Sequence, residues 1–225
     1  METTNRNTRL TDLEKKHIEF MAEISRALID TPMVLKGGTA LILVYGVDRY
    51  SDDLDFDCSI PLNLESRIQS SAKKQNISVH SIVLKKDTET TKRYIVTYQS
   101  EQGRGRLKIE ISFRDAEIDT DTLTIIDGIK TYKVGILVGQ KLHAAENRDK
   151  VRDLYDLSFL ADNYGSEFSR KQVDRLMALS KDPEHLLTKY KGDHQEYLPL
   201  QNVSLDDLAV NLSLRAEQLM DDGKH

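Results

Sequence analysis

Three aspartates alternate with apolar residues in one short stretch of the chain. Asp53, Asp55 and Asp57 are separated by Leu54 and Phe56. Because successive side chains of a β-strand point to opposite faces, we expect the three carboxylates to share one face of a strand. Carboxylates side by side repel one another unless positive charge lies between them. A hard divalent cation with oxygen ligands is the usual solution, so this stretch is typical of a metal-binding strand.

A glycine turn precedes these aspartates and could bind phosphate. Gly37, Gly38 and Thr39 follow a short apolar strand that begins at Met33, and Ala40–Tyr45 is predicted to be a buried helix. Glycines let backbone N–H groups approach a ligand closely, and a helix N-terminus favours anions. The sequence therefore predicts a phosphate-binding turn close to the acidic strand.

A second charged cluster lies in the C-terminal half. Lys141, Arg148 and Arg152 are spaced by nearly whole helical turns, so they would form one cationic stripe if their helices are continuous or nearly so. Asp153 and Asp156, three residues apart, share a neighbouring face and could orient these cations or position an acceptor. An exposed helix with ordinary charge pairs would show the same pattern, so spacing alone does not separate the two interpretations.

Together these motifs resemble a known family. Residues 36–41, Lys-Gly-Gly-Thr-Ala-Leu, precede Arg49, Ser51 and the Asp-Leu-Asp-Phe-Asp run. This string is similar to the AbiEii/AbiGii toxin-type nucleotidyltransferases, a branch of the polymerase-β-like superfamily. Lys108-x-Glu110 resembles the element that carries the third metal-site carboxylate of that branch, and the cluster from Lys141 to Asp156 resembles its downstream motif. The resemblance covers roughly residues 33–160.

The resemblance implies a set of catalytic and binding residues. Asp53, Asp55 and Glu110 would bind two Mg²⁺ ions, or Mn²⁺ in their place, with Glu110 acting as third ligand or as base. Many relatives have Asp where this chain has Glu110, which changes the reach of that carboxylate. The residues implied to bind the nucleotide are Lys36, Gly37, Gly38, Thr39, Arg49, Ser51, Lys108, Lys141, Arg148, Arg152, Asp153 and Asp156.

The implied reaction is transfer of a nucleoside monophosphate from an NTP to an acceptor hydroxyl, with release of pyrophosphate. The toxin branch further implies a bacterial, cytoplasmic toxin that modifies RNA, tRNA in particular, and that has a cognate antitoxin. Two alternatives stay open: nucleotidylation of a small molecule or protein, and a catalytically silent nucleotide-binding module. No Walker A pattern is present in the chain, which disfavours kinase or ATPase chemistry of that type.

Composition sets outer limits on function. The 225 residues carry 32 basic and 37 acidic side chains, a net charge of −5, so contact with RNA requires a local basic patch. The single cysteine, Cys58, excludes an internal disulfide. Residues 1–9 contain no apolar stretch typical of a signal peptide, and the longest apolar run is far shorter than a membrane span.

Periodicity predicts an α/β (α+β) fold whose C-terminal part is a helical bundle. The resemblance implies that the part before it is a minimal nucleotidyltransferase core with a mixed β-sheet. A capping box at Thr11–Glu14 begins a helix over about 12–29. A helix over 61–76 and strands over 77–84, 93–99, 105–114 and 131–134 complete the α/β half. Helices are predicted at about 136–148, 151–163, 168–180, 183–190 and 204–221, with a loop over 192–199. We therefore expect an α/β domain over 1–134 and a helical domain over 135–225.

Overall fold

The computed structural model describes residues 10–114 and 117–222. The predicted absence of a signal peptide in residues 1–9 therefore lies outside the described residues. The described chain forms two compact units. The first contains residues 10–46 and 50–133, and the second contains residues 47–49 and 134–222. That residues 1–134 and 135–225 are two separate domains stays a prediction.

The first unit is a mixed seven-stranded sheet with three helices. Its elements are α1 (Asp12–Arg26), β1 (Val34–Lys36), α2 (Gly37–Tyr45), β2 (Asp53–Asp57), α3 (Glu65–Lys74), β3 (Ser78–Thr88), β4 (Thr91–Ser100), β5 (Gly103–Ser112), β6 (Leu123–Ile126) and β7 (Ile129–Tyr132), with a 3₁₀ turn at Thr120–Thr122. The strand order is β3-β4-β5-β2-β1-β7-β6. Strands β2 and β5 pair in parallel, as do β1 and β7, whereas the remaining neighbours are antiparallel.

The alternation of side chains determines which face of this sheet is buried. Leu54 and Phe56 of β2 and Leu107, Ile109 and Ile111 of β5 are fully or almost fully buried. Helix α1 packs against β5, and α3 packs against both α1 and β3. The capping box predicted at Thr11 and Glu14 is present at the start of α1. The opposite face of β2 and β5 is therefore left for the polar residues.

The second unit consists of helices. They are α4 (Val134–Asn147), α5 (Val151–Asn163), α6 (Arg170–Ser180), α7 (Pro183–Glu196) and α8 (Leu205–Asp222), with 3₁₀ turns at Gly165–Glu167 and Leu198–Leu200. Helix α8 packs against α5, α6 and α7. Local signals fix the helix starts: Ser169 and Gln172 form a capping box, and Asp182 accepts a hydrogen bond from the backbone N–H of His185. The predicted fold class, an α/β core followed by a helical region, is confirmed.

Two elements differ from the sequence prediction. Strand β6 was not predicted; it pairs with β7 through a turn at Asp127 and Gly128, which both have positive φ. The predicted loop over 192–199 is wrong, because α7 continues to Glu196. The reason is tertiary: Asp193 binds the ammonium of Lys150 and the backbone N–H of Val151, at the start of α5. Among the described helices, none combines the length and apolar character that crossing a membrane requires.

Candidate active site

Four neighbouring strands bring charged side chains into one row on the polar face of the sheet. Lys36 of β1 lies opposite Asp55 of β2, Asp55 lies beside Glu110 of β5, and Glu110 lies opposite Arg93 of β4. The row therefore reads positive, negative, negative, positive. The aspartates and Glu110, separated by more than fifty positions in sequence, become neighbours because β2 and β5 pair in parallel.

Asp53 lies two residues from Asp55 along β2, on the same face of the sheet. Its register partner on β5 is Lys108, and the Lys108 ammonium contacts Asp53 Oδ2 at 2.7 Å. Both side chains are partly exposed. Lys108 therefore supplies positive charge to the aspartate pair in the apo protein.

The pKa of Asp55 is raised above the ordinary value for an aspartate. Burial raises the pKa of Asp55, and the nearby charges of Asp53 and Glu110 raise it further. Lys108 and Lys36 oppose this pKa shift but do not cancel it. A site that resists ionisation of a carboxylate between two others attracts an additional cation.

Glu110 is already paired. Arg93 Nε donates to Glu110 Oε2 at 2.7 Å, and Arg93 Nη2 lies 2.5 Å from the same oxygen. Among residues 10–114 and 117–222, no group of three or more His, Cys, Asp or Glu side chains is arranged to hold a metal ion. Asp53 and Asp55 supply the carboxylate oxygens that Mg²⁺ and Mn²⁺ prefer. The two aspartates fit such an ion, and Glu110 fits as a third ligand if it exchanges Arg93 for the metal.

The glycine turn lies against Asp55. Helix α2 begins at Gly37, which has φ of +69°, and a Cβ built on Gly37 would lie 3.6 Å from Asp55 Oδ2. The Thr39 hydroxyl donates to the Asp53 carbonyl oxygen at 2.5 Å, which ties the first turn of α2 to β2. Ser51 is buried and its hydroxyl accepts a hydrogen bond of 3.4 Å from the Asp53 backbone N–H. The turn and the acidic strand thus form one local arrangement, as their spacing predicts.

Asp57, the third aspartate of the run, has a different environment from the other two. It is 3% exposed, and its carboxylate accepts from the Lys36 ammonium at 2.5 Å and from the Tyr132 hydroxyl at 2.9 Å. Lys36 is therefore held next to Asp55 by a buried carboxylate. Sequence reasoning did not identify Asp57 as a partner of Lys36.

The second charged cluster lies in the helical unit, and its members form ion pairs with one another. The Lys141 ammonium contacts Asp153 Oδ1 at 3.0 Å and Asp156 Oδ2 at 2.5 Å. Arg148 donates to Asp153 from Nε at 2.6 Å and from Nη2 at 2.9 Å. Burial opposes ionisation of Asp153, but Lys141 and Arg148 outweigh it and hold its pKa below the ordinary value. Asp153 and Asp156 therefore pair with cations of their own cluster, and which of the two predicted roles they have stays a prediction.

Arg49 belongs to this helical unit although it precedes β2 in sequence. Its guanidinium is 1% exposed and binds both oxygens of Asp156, which is fully buried. Burial alone would lower the pKa of Arg49, but the Asp156 carboxylate raises it above the ordinary value. Burial likewise raises the pKa of Asp156, and Arg49 and Lys141 together lower it below normal.

The predicted cationic stripe is therefore uneven. Helix α4 ends at Asn147 and α5 begins at Val151, so the two helices are separate. The Lys141 side chain is 6% exposed, whereas 48% of the Arg148 side chain is exposed and Arg152 is of intermediate exposure. Of the three, Arg148 and Arg152 present surface to a ligand of the unit, and Lys141 presents its charge to two aspartates.

Sequence reasoning also missed Arg93 and Tyr132. Arg93 becomes a partner of Glu110 only through the register of the β4–β5 hairpin, and Tyr132 reaches Asp57 from β7. A register prediction for the Gly103 hairpin would have placed Arg93 opposite Glu110. No local signal in the sequence indicates the contact of Tyr132.

The chain is similar to known nucleotidyltransferases in sequence and in structure. A sequence profile of the family described as "Nucleotidyl transferase AbiEii toxin, Type IV TA system" matches residues 19–220. A crystal structure of a candidate nucleotidyltransferase from H. pylori superposes with a TM-score of 0.89 at 37% identity, covering 96% of this chain and 98% of that one. The crystal structure of JHP933 from Helicobacter pylori has a TM-score of 0.89 at 35% identity, covering 96% and 95%. No curated protein matched the chain.

Proposed function

Because the chain belongs to the AbiEii nucleotidyl transferase toxin family of type IV toxin–antitoxin systems, we propose that it transfers a nucleoside monophosphate from an NTP to a hydroxyl of an RNA acceptor, with tRNA as the favoured acceptor. The observation that carries this proposal is the pair Asp53 and Asp55 on one face of β2, next to the glycine turn that begins α2. Membership of the family makes the protein a nucleotidyltransferase; the metal, the acceptor and the residue roles below are our proposal.

The proposed reaction conserves atoms and charge. The acceptor oxygen forms a bond to the α-phosphorus of the NTP, and the bond from that phosphorus to the oxygen bridging the β-phosphorus breaks. The acceptor hydroxyl gives its proton to a base, and pyrophosphate leaves with the bridging oxygen. The protein contributes charge and position to this exchange.

Asp53 and Asp55 would hold Mg²⁺, with Mn²⁺ as an alternative and two ions in the full site. Two bound divalent ions would stabilise both the entering and the leaving oxygen. The raised pKa of Asp55, caused first by burial and then by the charges of Asp53 and Glu110, supports this assignment, because the positive charge of bound cations would oppose that pKa shift. Lys108 offers the aspartates a substitute cation through its contact with Asp53.

The first turn of α2 is the proposed phosphate site. Its N-terminal backbone N–H groups favour an anion, and Gly37 keeps space open beside Asp55. Lys36, held by Asp57, adds a positive charge at the same end of the helix. Thr39 and Ser51 support this turn through their hydrogen bonds to the backbone of Asp53.

Glu110 is proposed as the third metal ligand, with part of the general-base role. Its place beside Asp55 in the β2–β5 register supports the first role. Release from Arg93 would free the carboxylate for either. Lys108 and Arg93 would then be free to neutralise phosphate charge.

In the helical unit, Arg148 and Arg152 are the proposed phosphate contacts, because both are accessible. Lys141, Arg49, Asp153 and Asp156 would support them. The assignment of Lys141 to the triphosphate stays a prediction that Lys141→Ala tests. A larger loss of NTP affinity than of NMP affinity, each relative to the wild type, would support direct contact of Lys141 with the β- or γ-phosphate, and equal losses would leave Lys141 a supporting role.

The decisive experiment is transfer of label from each α-labelled NTP to total RNA, protein and small molecules. We expect label in RNA, and loss of label with Asp53→Ala or Asp55→Ala. Label confined to protein or to small molecules would move the enzyme to another acceptor class, and no label would indicate a silent nucleotide-binding module. The cytoplasmic location and a cognate antitoxin are proposed from the family, and co-purification with the product of the neighbouring gene tests the latter.

A further inference from the structure

The hairpin strands of the sheet are basic in an acidic protein. Residues 78–114 contain eight lysines and arginines and four aspartates and glutamates, a net charge of +4, whereas the whole chain carries −5. An excess of this sign in one segment is the local patch that contact with a polyanion would require. Its importance depends on where these side chains point.

The register places several of the positive charges on the same face as Asp53 and Asp55. Arg106 lies beside Thr97 and Arg104 beside Gln99, and Lys86 lies opposite Arg93. All of these positions share the face of Lys108 and Glu110, because cross-strand neighbours point the same way. The opposite face carries the buried residues of the core, such as Tyr94, Val96, Tyr98, Leu107 and Ile109.

Three of these cations are available to an external anion. Within the described part of the chain, Lys86, Arg104 and Arg106 have no carboxylate partner in ion-pair distance, whereas Arg93 and Lys108 bind Glu110 and Asp53. Arg104 and Arg106 are exposed and Lys86 is partly exposed. We name Lys86, Arg104 and Arg106, with the neighbouring Ser81, Thr97 and Gln99, the basic face.

The basic face runs directly into the candidate active site. Along β5 the residues Arg104, Arg106 and Lys108 point the same way, and Lys108 contacts Asp53. At about 3.3 Å per residue, these three positions span about 13 Å, which exceeds the reach of one phosphate group. An extended anion lying on Arg104 and Arg106 would therefore have its end at the aspartate pair.

We propose that the basic face binds the sugar–phosphate backbone of the RNA acceptor and so directs its reacting end to Asp53 and Asp55. This inference rests on the proposed function. The hydroxyls of Ser81 and Thr97, which lie 2.7 Å apart, and the amide of Gln99 can bond ribose hydroxyls and phosphate oxygens. The residues that the register places on this face of β3, β4 and β5 include no aromatic side chain that could stack on a base. Recognition here is therefore of the backbone, without preference for sequence.

The test compares two double variants that change net charge equally. Arg104→Glu with Arg106→Glu alters the basic face, and Lys171→Glu with Lys181→Glu alters two exposed lysines of the helical unit. The probe is a fluorescent RNA hairpin with an unpaired 3′ end, titrated with the full-length protein without NTP over a range of salt. We expect the first variant alone to bind weakly, with the slope of log K against log salt reduced by about 2, since each lost phosphate contact removes about one.

Equal loss in both variants, or unchanged binding in the first, would overturn the proposal. Arg104→Gln with Arg106→Gln provides a milder second variant, whose fold is checked by its thermal unfolding midpoint. If poly-glutamate binds the wild type and loses affinity in the first variant as RNA does, the face recognises an acidic polypeptide and the proposal is wrong. Absence of transfer to every acceptor would refute the proposed function instead and leave the binding result standing.

Discussion

The guanidinium of Arg49 grips the carboxylate of Asp156 at both oxygens, Nε to Oδ1 at 2.7 Å and Nη2 to Oδ2 at 2.8 Å, with both side chains buried. Asp156 in turn contacts Lys141. Arg49 therefore acts through a neighbour, because it holds the carboxylate of Asp156 in place, and Asp156 in turn orients the ammonium of Lys141. A fork-shaped, bidentate contact of this kind is one that Lys in place of Arg49 could not reproduce.

Arg49→Met should destabilise the protein by about 3–5 kcal/mol, because it leaves a buried carboxylate short of its main partner. Urea denaturation measures the free energy of unfolding of each variant. Arg175→Met is the matched control: it removes an arginine–carboxylate pair with Glu146 in which both side chains are about one-third exposed, so the loss should be within about 1 kcal/mol. If both variants lose the same free energy of unfolding, burial does not make the Arg49–Asp156 pair more important for stability than the exposed pair.

The predictable part of this fold is the part carried by local periodicity. Strand β2 was predicted with its bounds because Leu54 and Phe56 alternate with the aspartates, and α5 because its apolar spacing is regular. The extension of α7 to Glu196 depends on the contact of Asp193 with Lys150, which no local pattern encodes. Elements stabilised by distant partners are the ones that single-sequence reasoning loses.

The same distinction applies to the candidate site. The motif residues Asp53, Asp55 and Gly37 could be identified from spacing, and the structure brings them together. The burial of Arg49 could not, since its partner lies 107 positions away. Nor could the engagement of Glu110 by Arg93, which depends on hairpin register. A motif indicates which residue types matter, whereas the partner of each charge is set by tertiary pairing.

Asp55→Asn should stabilise the apo protein at neutral pH. The pKa of Asp55 is raised above its ordinary value of 3.8, so ionisation of this carboxyl costs free energy in the folded state. The cost is present above the folded pKa and absent below 3.8, where both states are protonated. A tenfold change in the ionisation equilibrium of this carboxyl corresponds to about 1.4 kcal/mol. The measurement is the urea midpoint from pH 3 to 8 in the presence of EDTA, and we expect the gain of the variant to vanish at the acid end.

Mg²⁺ should reverse that order. Binding to the folded state alone stabilises it by mass action, so added Mg²⁺ should raise the midpoint of the wild type and leave that of Asp55→Asn nearly unchanged. Asp12→Asn, an exposed acid at the start of α1, is the control for general effects of charge removal. An identical response of wild type and Asp55→Asn to Mg²⁺ would remove Asp55 from the metal site.

His17 should make the protein acid-sensitive. Its side chain is 2% exposed, Nδ1 lies 2.6 Å from the Tyr98 hydroxyl, and Nε2 is buried without a hydrogen-bond partner in the described chain. Burial lowers the pKa of His17 to about 4, against partial opposition from Asp52. Between about pH 6.5 and 4, His17 is therefore protonated in the unfolded chain and neutral in the folded protein.

Stability should consequently fall by about 3 kcal/mol as pH drops through that window and level off below it. His17→Gln should lose this dependence, although its loss of packing lowers stability at every pH. His80→Gln, an exposed histidine on β3, should keep the wild-type profile. Urea unfolding at closely spaced pH values decides the matter: parallel profiles for wild type and His17→Gln would place the acid sensitivity elsewhere.

Glu110→Gln gives the sharpest test of the catalytic proposal, because Glu110 has a competing partner in Arg93. As a metal ligand, Glu110 should show its loss as a higher Mg²⁺ requirement that added Mg²⁺ partly restores. As a base alone, its loss should lower kcat, leave Mg²⁺ affinity unchanged and abolish the acid limb of the pH–rate profile. Because Glu110 lies beside Asp55 in the strand register, we expect the first result with some of the second.

Arg93→Gln is the control: it frees the carboxylate of Glu110, and it should lower the Mg²⁺ requirement if Arg93 and the metal compete for the same oxygens. Superimposable curves of kcat against Mg²⁺ for wild type, Glu110→Gln and Arg93→Gln would leave Asp53 and Asp55 as the whole metal site and Glu110 as a surface partner of Arg93.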